Sequence, residues 1–128
     1  MSLSILLAED NDVVRDALRE LLEQEGYTVS VCQTGTAALE HLSSGSIDLL
    51  ITDIFMPEMD GIELIKTLHL LRPVLRVIVI TGNLNNALQQ SADLLGVRAT
   101  LQKPFSSDEL FLTIRSVVAD SGSRSLRD

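Results

Sequence analysis

A chain of 128 residues is the size of one domain and can bury a single hydrophobic core. Its net charge of −8, from 18 acidic and 10 basic residues, disfavours nonspecific binding to nucleic acid or anionic membranes. No apolar run approaches the ~20 residues a membrane span needs, nothing at Met1–Asn11 resembles a signal peptide, and the single cysteine, Cys32, excludes an internal disulfide and fits a reducing cytoplasm.

Ser4–Glu9 is a short apolar strand, bounded by Asp10-Asn11-Asp12. A helix follows, with Val14, Ala17, Leu18, Leu21 and Leu22 on one stripe and Gly26 closing it. Tyr27–Cys32 alternates as a half-buried strand, and Thr34–Ser44 is a second helix ending at Gly45. Asp48–Asp53 is the third strand, with Pro57 ending it beyond Met56. Asp60 caps a third helix, Gly61–Leu71, with Glu63 reaching back, and Pro73 blocks its continuation. Leu75–Thr81 is the most β-branched segment and the fourth strand. Leu84, Ala87, Leu88, Ala92 and Leu95 form a fourth helical stripe, closed by Gly96, and Val97–Gln102 alternates as a fifth strand. Lys103-Pro104-Phe105 is a loop, Ser106–Glu109 a capping box, and Leu110, Ile114, Val117 and Val118 define the last helix. Ser121–Asp128 is polar and is expected to fray.

Five strands alternating with five helices predict an α/β fold, a doubly wound parallel sheet with helices on both faces. Strands one, three and four are near-continuous apolar runs, as central strands covered on both faces require. Strands two and five alternate, as edge strands do. The resulting order is 2-1-3-4-5, the flavodoxin-like (βα)5 arrangement.

On that sheet Glu9 and Asp10 end strand one, Asp53 ends strand three, Thr81 ends strand four, and Lys103 follows strand five. All five residues emerge at one edge, at the crevice where the winding reverses. Three close carboxylates repel one another unless neutralised, and one lysine is not enough. Oxygen ligands without His or Cys point to Mg²⁺, held by Asp10, Asp53 and the Phe55 backbone carbonyl, with Glu9 near it or reaching it through water. A carboxylate beside Mg²⁺ can attack phosphorus to give an aspartyl-phosphate, while the Thr81 hydroxyl and the Lys103 ammonium take phosphoryl oxygens.

The ordered set Glu9-Asp10, Asp53, Met56-Pro57, Asp60-Gly61, Thr81-Gly82 and Lys103-Pro104-Phe105 resembles the motifs of response regulator receiver domains of two-component signalling, over about Leu3–Ala119. The resemblance implies that Asp53 accepts a phosphoryl group from a phosphohistidine on a histidine kinase or phosphotransfer protein. It implies that Glu9 and Asp10 hold Mg²⁺, that Thr81 turns toward the phosphoryl oxygen, that Lys103 pairs with it, and that Pro104 follows a cis bond. The module would span 1–120, with 121–128 a polar tail or the start of a linker. It would be a cytoplasmic switch rather than an enzyme, dephosphorylating itself slowly. It would bind neither nucleic acid nor membrane directly and would signal through the face of helix four, strand five and helix five to an output domain or partner protein.

The chain departs from the family pattern in three places. Thr100 stands where an aromatic switch residue is usual, the acidic pair is Glu-Asp rather than Asp-Asp, and the residue two after Asp53 is the bulky Phe55. A small Mg²⁺-dependent phosphohydrolase is the main rival, but it would want a second acid where Phe55 stands. A flavin-binding protein would want a Gly-rich loop after strand one and more aromatic residues than one Tyr and no Trp. A degenerate receiver would not keep Asp10, Asp53, Thr81 and Lys103 together.

Overall fold

The computed structural model describes the backbone of residues 3–56 and 58–127, so the strand end expected at Pro57 and the final residue of the polar tail lie outside the described residues. Five strands alternate with five helices: β1 (Ser4–Ala8), α1 (Asp12–Gln24), β2 (Thr28–Cys32), α2 (Gly35–Ser44), β3 (Leu49–Asp53), α3 (Gly61–Leu71), β4 (Arg76–Thr81), α4 (Asn86–Leu94), β5 (Ala99–Gln102) and α5 (Ser107–Arg127). All strand pairs are parallel, in the order β2-β1-β3-β4-β5, as the burial pattern of the sequence predicts.

The period of two along each strand divides the core between the two faces. Leu6, Leu50, Val77 and Val79 point to one side and meet Ala38 and Leu42 of α2, Leu64, Ile65 and Leu68 of α3, and Leu88 of α4. Ile5, Leu7, Leu49, Ile51, Ile78 and Ile80 point to the other and meet Leu18 and Leu22 of α1 and Leu110, Ile114 and Val117 of α5. β1, β3 and β4 are therefore sandwiched, which is why their sequences carry almost no polar interruption. Cys32 is buried, and burial pushes its thiol up to about 11, with the nearby Arg15 charge opposing; it is an unreactive core thiol.

Caps set the helix starts. Asn11, Thr34, Asp60 and Asn85 accept from the amides of Val14, Ala37, Glu63 and Leu88 at 2.9–3.0 Å. The Ser106–Glu109 box closes in both directions, with Glu109 N–H donating to Ser106 Oγ at 3.0 Å and Ser106 N–H to Glu109 Oε1 at 3.1 Å. α4 begins two residues later than the stripe from Leu84 predicts, because the cap is Asn85. β5 begins at Ala99 rather than Val97, because Gly96, at a φ of 79°, is still turning the chain out of α4. The apolar stripe of α5 ends at Val118, yet the backbone helix continues to Arg127 through residues where fraying is expected; no proline follows Ala119 to stop it.

Candidate functional site

The register brings the strand ends level. Ala8 pairs with Thr52, Asp53 with Ile80, and Thr81 with Gln102, so Glu9, Asp53, Thr81 and Lys103 all fall at the carboxyl edge. Glu9 extends β1 by one step, its N–H donating to the Cys32 carbonyl at 3.1 Å, and its side chain is almost wholly buried. The Lys103 N–H donates to the Thr81 carbonyl at 2.7 Å, which fixes the start of the β5–α5 loop, and the Lys103–Pro104 peptide is cis.

Lys103 Nζ lies between two carboxylates. It donates to Glu9 Oε1 at 2.7 Å and to Asp53 Oδ2 at 3.0 Å. Glu9 Oε2 accepts from the Asn11 amide at 3.2 Å, and Asp53 Oδ1 accepts from the amides of Ile54 and Phe55 at 2.6 and 3.3 Å. One oxygen of Asp53 is thus held by its own turn, and the other faces the ammonium. Asp10 is exposed at the rim, and a ligand oxygen from each of Glu9, Asp10 and Asp53 lies within 4.8 Å of the others. Three carboxylates and no nitrogen or sulfur donor suit a hard divalent ion such as Mg²⁺.

Burial raises the Glu9 carboxyl above its ordinary value and the Asp53 charge adds to this, while Lys103 and the Asn11 amide oppose it. Burial alone would lower Lys103, but its bonds to Glu9 and Asp53 and their charges more than offset that, so the ammonium is raised and stays charged. The site therefore holds a fixed cation among carboxylates that still lack enough positive charge.

Gly61 explains how α3 approaches so closely. A Cβ there would run into the Asp53 carbonyl oxygen and come within 2.7 Å of Ile54 Cα, and the Gly61 N–H donates to the Ile54 carbonyl at 2.6 Å. Just before it, Glu58 sits at a φ of 71°, a left-handed conformation uncommon outside glycine.

Glu9, Asp10, Asp53 and Lys103 come together as one cluster. Thr81 is fully buried beside it, and its Oγ1 accepts from the Asn83 amide at 3.2 Å; among the described residues no hydrogen bond joins that hydroxyl to Asp53 or Lys103. The Phe55 amide touches Asp53, while the residue as a whole is 60% exposed. Thr100 is not a bare edge threonine. Its hydroxyl donates to Gln89 Oε1 of α4 at 2.8 Å, and Gln89 Nε2 donates to Asp93 Oδ1 at 2.9 Å. Sequence reasoning missed Gln89. It also missed Arg15, whose guanidinium donates to the Glu9 carbonyl at 3.1 Å and to Asp12 Oδ1 at 2.6 Å. The acid-to-base spacing of three from Asp12 to Arg15 was the available signal.

A flavodoxin-like sheet with its polar cluster at the winding reversal defines an α/β protein whose chemistry sits at the topological switch point. Residues 5–115 match the response regulator receiver domain family, and the chain belongs to that family. It is 40% identical over 114 residues to the response regulator receiver protein CpdR of Brucella abortus, covering 89% of this chain and 95% of that one. It is 34% identical over 119 residues to the response regulator MprA of Mycobacterium ulcerans, covering 92% of this chain but only 51% of MprA, so it spans about half of that relative. The crystal structure of a receiver domain protein from Methanospirillum hungatei superimposes with a TM-score of 0.91 at 27% identity, over 97% of this chain and 99% of that one. Receiver domains are signalling switches phosphorylated by histidine kinases, and they generally bind Mg²⁺ through acidic residues. Among the described residues no helix is long and apolar enough to cross a membrane.

Proposed function

We propose that Asp53 is the phospho-acceptor of this chain. The observation that carries the reading is Lys103 bridging Asp53 and Glu9 at the switch point, with Asp10 at the rim. In the transfer, the P–N bond of a phosphohistidine on a kinase or phosphotransfer protein breaks. An Asp53 oxygen forms the new P–O bond, and the imidazole leaves with the P–N electron pair. Asp53 Oδ1 is held by two amides, which aims the carboxylate before the donor arrives. Lys103 then donates to a phosphoryl oxygen, and the Thr81 hydroxyl turns from the Asn83 amide to donate to another. Asp10, Asp53 and the Phe55 carbonyl would hold Mg²⁺, with Glu9 near it or reaching it through water. When bound, Mg²⁺ supplies the positive charge that phosphoryl transfer needs against the equatorial oxygens.

The acyl phosphate carries about −1.5 to −2 charges in place of the single charge of the carboxylate, a net gain of at most about one, and it shifts an existing equilibrium between two surfaces. The receiver spans 1–120 and 121–128 is a polar tail or the start of a linker. Output passes through the face of α4, β5 and α5 to a partner protein or an attached output domain. The domain works in the cytoplasm without binding nucleic acid or membrane itself, and turns over its own phosphate slowly. The test is incubation with a small-molecule phosphodonor and Mg²⁺, read by intact mass. Wild type gains one phosphoryl group and Asp53→Asn gains none; uptake by the variant equal to wild type overturns the assignment.

A further inference from the structure

Arg15 carries a charge on a side chain that is only 12% exposed, on the second turn of α1. Its pairing with Asp12, which is 76% exposed, does not account for that burial, because an ion pair with a solvated partner is worth little. The other contact does. Arg15 Nη1 donates to the Glu9 carbonyl at 3.1 Å, and that carbonyl belongs to the peptide joining Glu9 to Asp10. Rotating this peptide would re-aim the Cα–Cβ bonds of both acids. The opposite edge of the Glu9 unit is held by its N–H on the Cys32 carbonyl, so Arg15 supplies the second fixed point. Asp12 in turn orients the guanidinium at 2.6 Å.

We infer that Arg15 is a positioning residue for the Mg²⁺ site: by pinning the Glu9–Asp10 peptide it holds the two carboxylates where Asp53 can share a cation with them. This rests on the reading of the acidic cluster as a Mg²⁺ site. Outer partners that orient ligands typically contribute about 10–100-fold in metal affinity. The sign separates this role from simple electrostatics. Arg15 is a positive charge near a cation site, so its charge alone weakens Mg²⁺ binding, and removing it would then tighten binding. Positioning demands the reverse.

The experiment is calorimetric titration of Mg²⁺ into wild type, Arg15→Met and Arg15→Lys, with melting curves of each in chelator. Arg15→Met is expected to bind Mg²⁺ about 10-fold more weakly or worse. Arg15→Lys, which can still reach the carbonyl with one donor, should recover part of the loss; it also carries the test should Arg15→Met not fold. A purely structural role would lower the melting temperature and leave the Mg²⁺ Kd of the folded protein unchanged. Unchanged or tighter binding by the variants, with wild type binding normally, overturns the inference alone. Failure of wild type to bind Mg²⁺ overturns the metal site and the inference with it.

Discussion

Replacing Lys103 with Met removes the one ammonium that bridges Glu9 and Asp53. Removing one partner of a buried ion pair costs about 3–5 kcal/mol, because the other charge is left unpaired. The Lys103 side chain is 24% exposed, so solvent screens part of the interaction and the expected loss is near the lower end, about 3 kcal/mol at neutral pH without metal. The pH dependence follows from the shifts. The Lys103 value is raised, so its contribution is fully present below the unfolded lysine value of about 10.4 and fades only as pH rises through the folded one. Glu9 is an acid with a raised value. The folded chain therefore holds that proton more tightly, and stability falls as pH rises from about 4.3 through the folded value. Without Lys103 the Glu9 shift grows, since burial and the Asp53 charge then act with less opposition. The deficit of Lys103→Met should be larger at the higher pH, near neutrality, and shrink as pH falls toward the unfolded glutamate value of about 4.3. Urea unfolding followed by circular dichroism in chelator measures it. A variant within about 0.5 kcal/mol of wild type at the higher pH, or a deficit that does not change with pH, refutes the reasoning.

Three further substitutions probe the surroundings. Gly61→Ala drives a Cβ into the backbone of Asp53 and Ile54, which cannot swing aside as a side chain would. It should cost about 1–3 kcal/mol in urea unfolding and slow phosphoryl uptake by Asp53 in the intact-mass assay; normal uptake would show that the α3 contact does not aim the carboxylate. Thr100→Val removes the donor to Gln89 Oε1 and should cost about 0.5–1.5 kcal/mol, with faster amide hydrogen exchange in α4; exchange confined to β5 would refute the tether. Phe55→Asn should shorten the half-life of the phosphorylated protein, on the expectation that a bulky apolar residue two positions after Asp53 hinders an attacking water. An unchanged half-life in a dephosphorylation time course rejects that role.

The central strands were readable because burial on both faces leaves them no polar residue to carry, and the edges because they alternate. The acidic cluster was readable for a related reason: in a parallel sheet, residues that end neighbouring strands must converge. What stayed hidden depended on side-chain reach rather than pattern. That Lys103 spans both Glu9 and Asp53 requires knowing that β5 stops one residue before it, and that Glu9 continues β1 on the Cys32 carbonyl. The left-handed Glu58 gave no composition signal, since Glu is not a residue chosen for positive φ. Asn85 as the α4 cap was one of three asparagines within Gly82–Asn86, and only the bond to Leu88 selects it.

Thr100, where the family usually has an aromatic residue, still connects β5 to α4. Its hydroxyl ties β5 to α4 through Gln89, and Gln89 is itself steadied by Asp93. α4 is lightly anchored: Ala92 is its one buried residue, Leu88 packs half-buried against the core, and Leu94 is 83% exposed. Its cap, Asn85, lies four residues beyond Thr81 along the chain, and the Thr81 hydroxyl already engages that connection through Asn83. A hydroxyl that left Asn83 for a phosphoryl oxygen would free the turn leading into α4, a helix with one buried residue. Segments with few buried contacts are the ones that shift at least cost. On the proposed role of Thr81, phosphorylation would be felt first in the Thr81–Asn85 turn and α4. The Thr100–Gln89 bond would then resist that motion, since it ties α4 to β5.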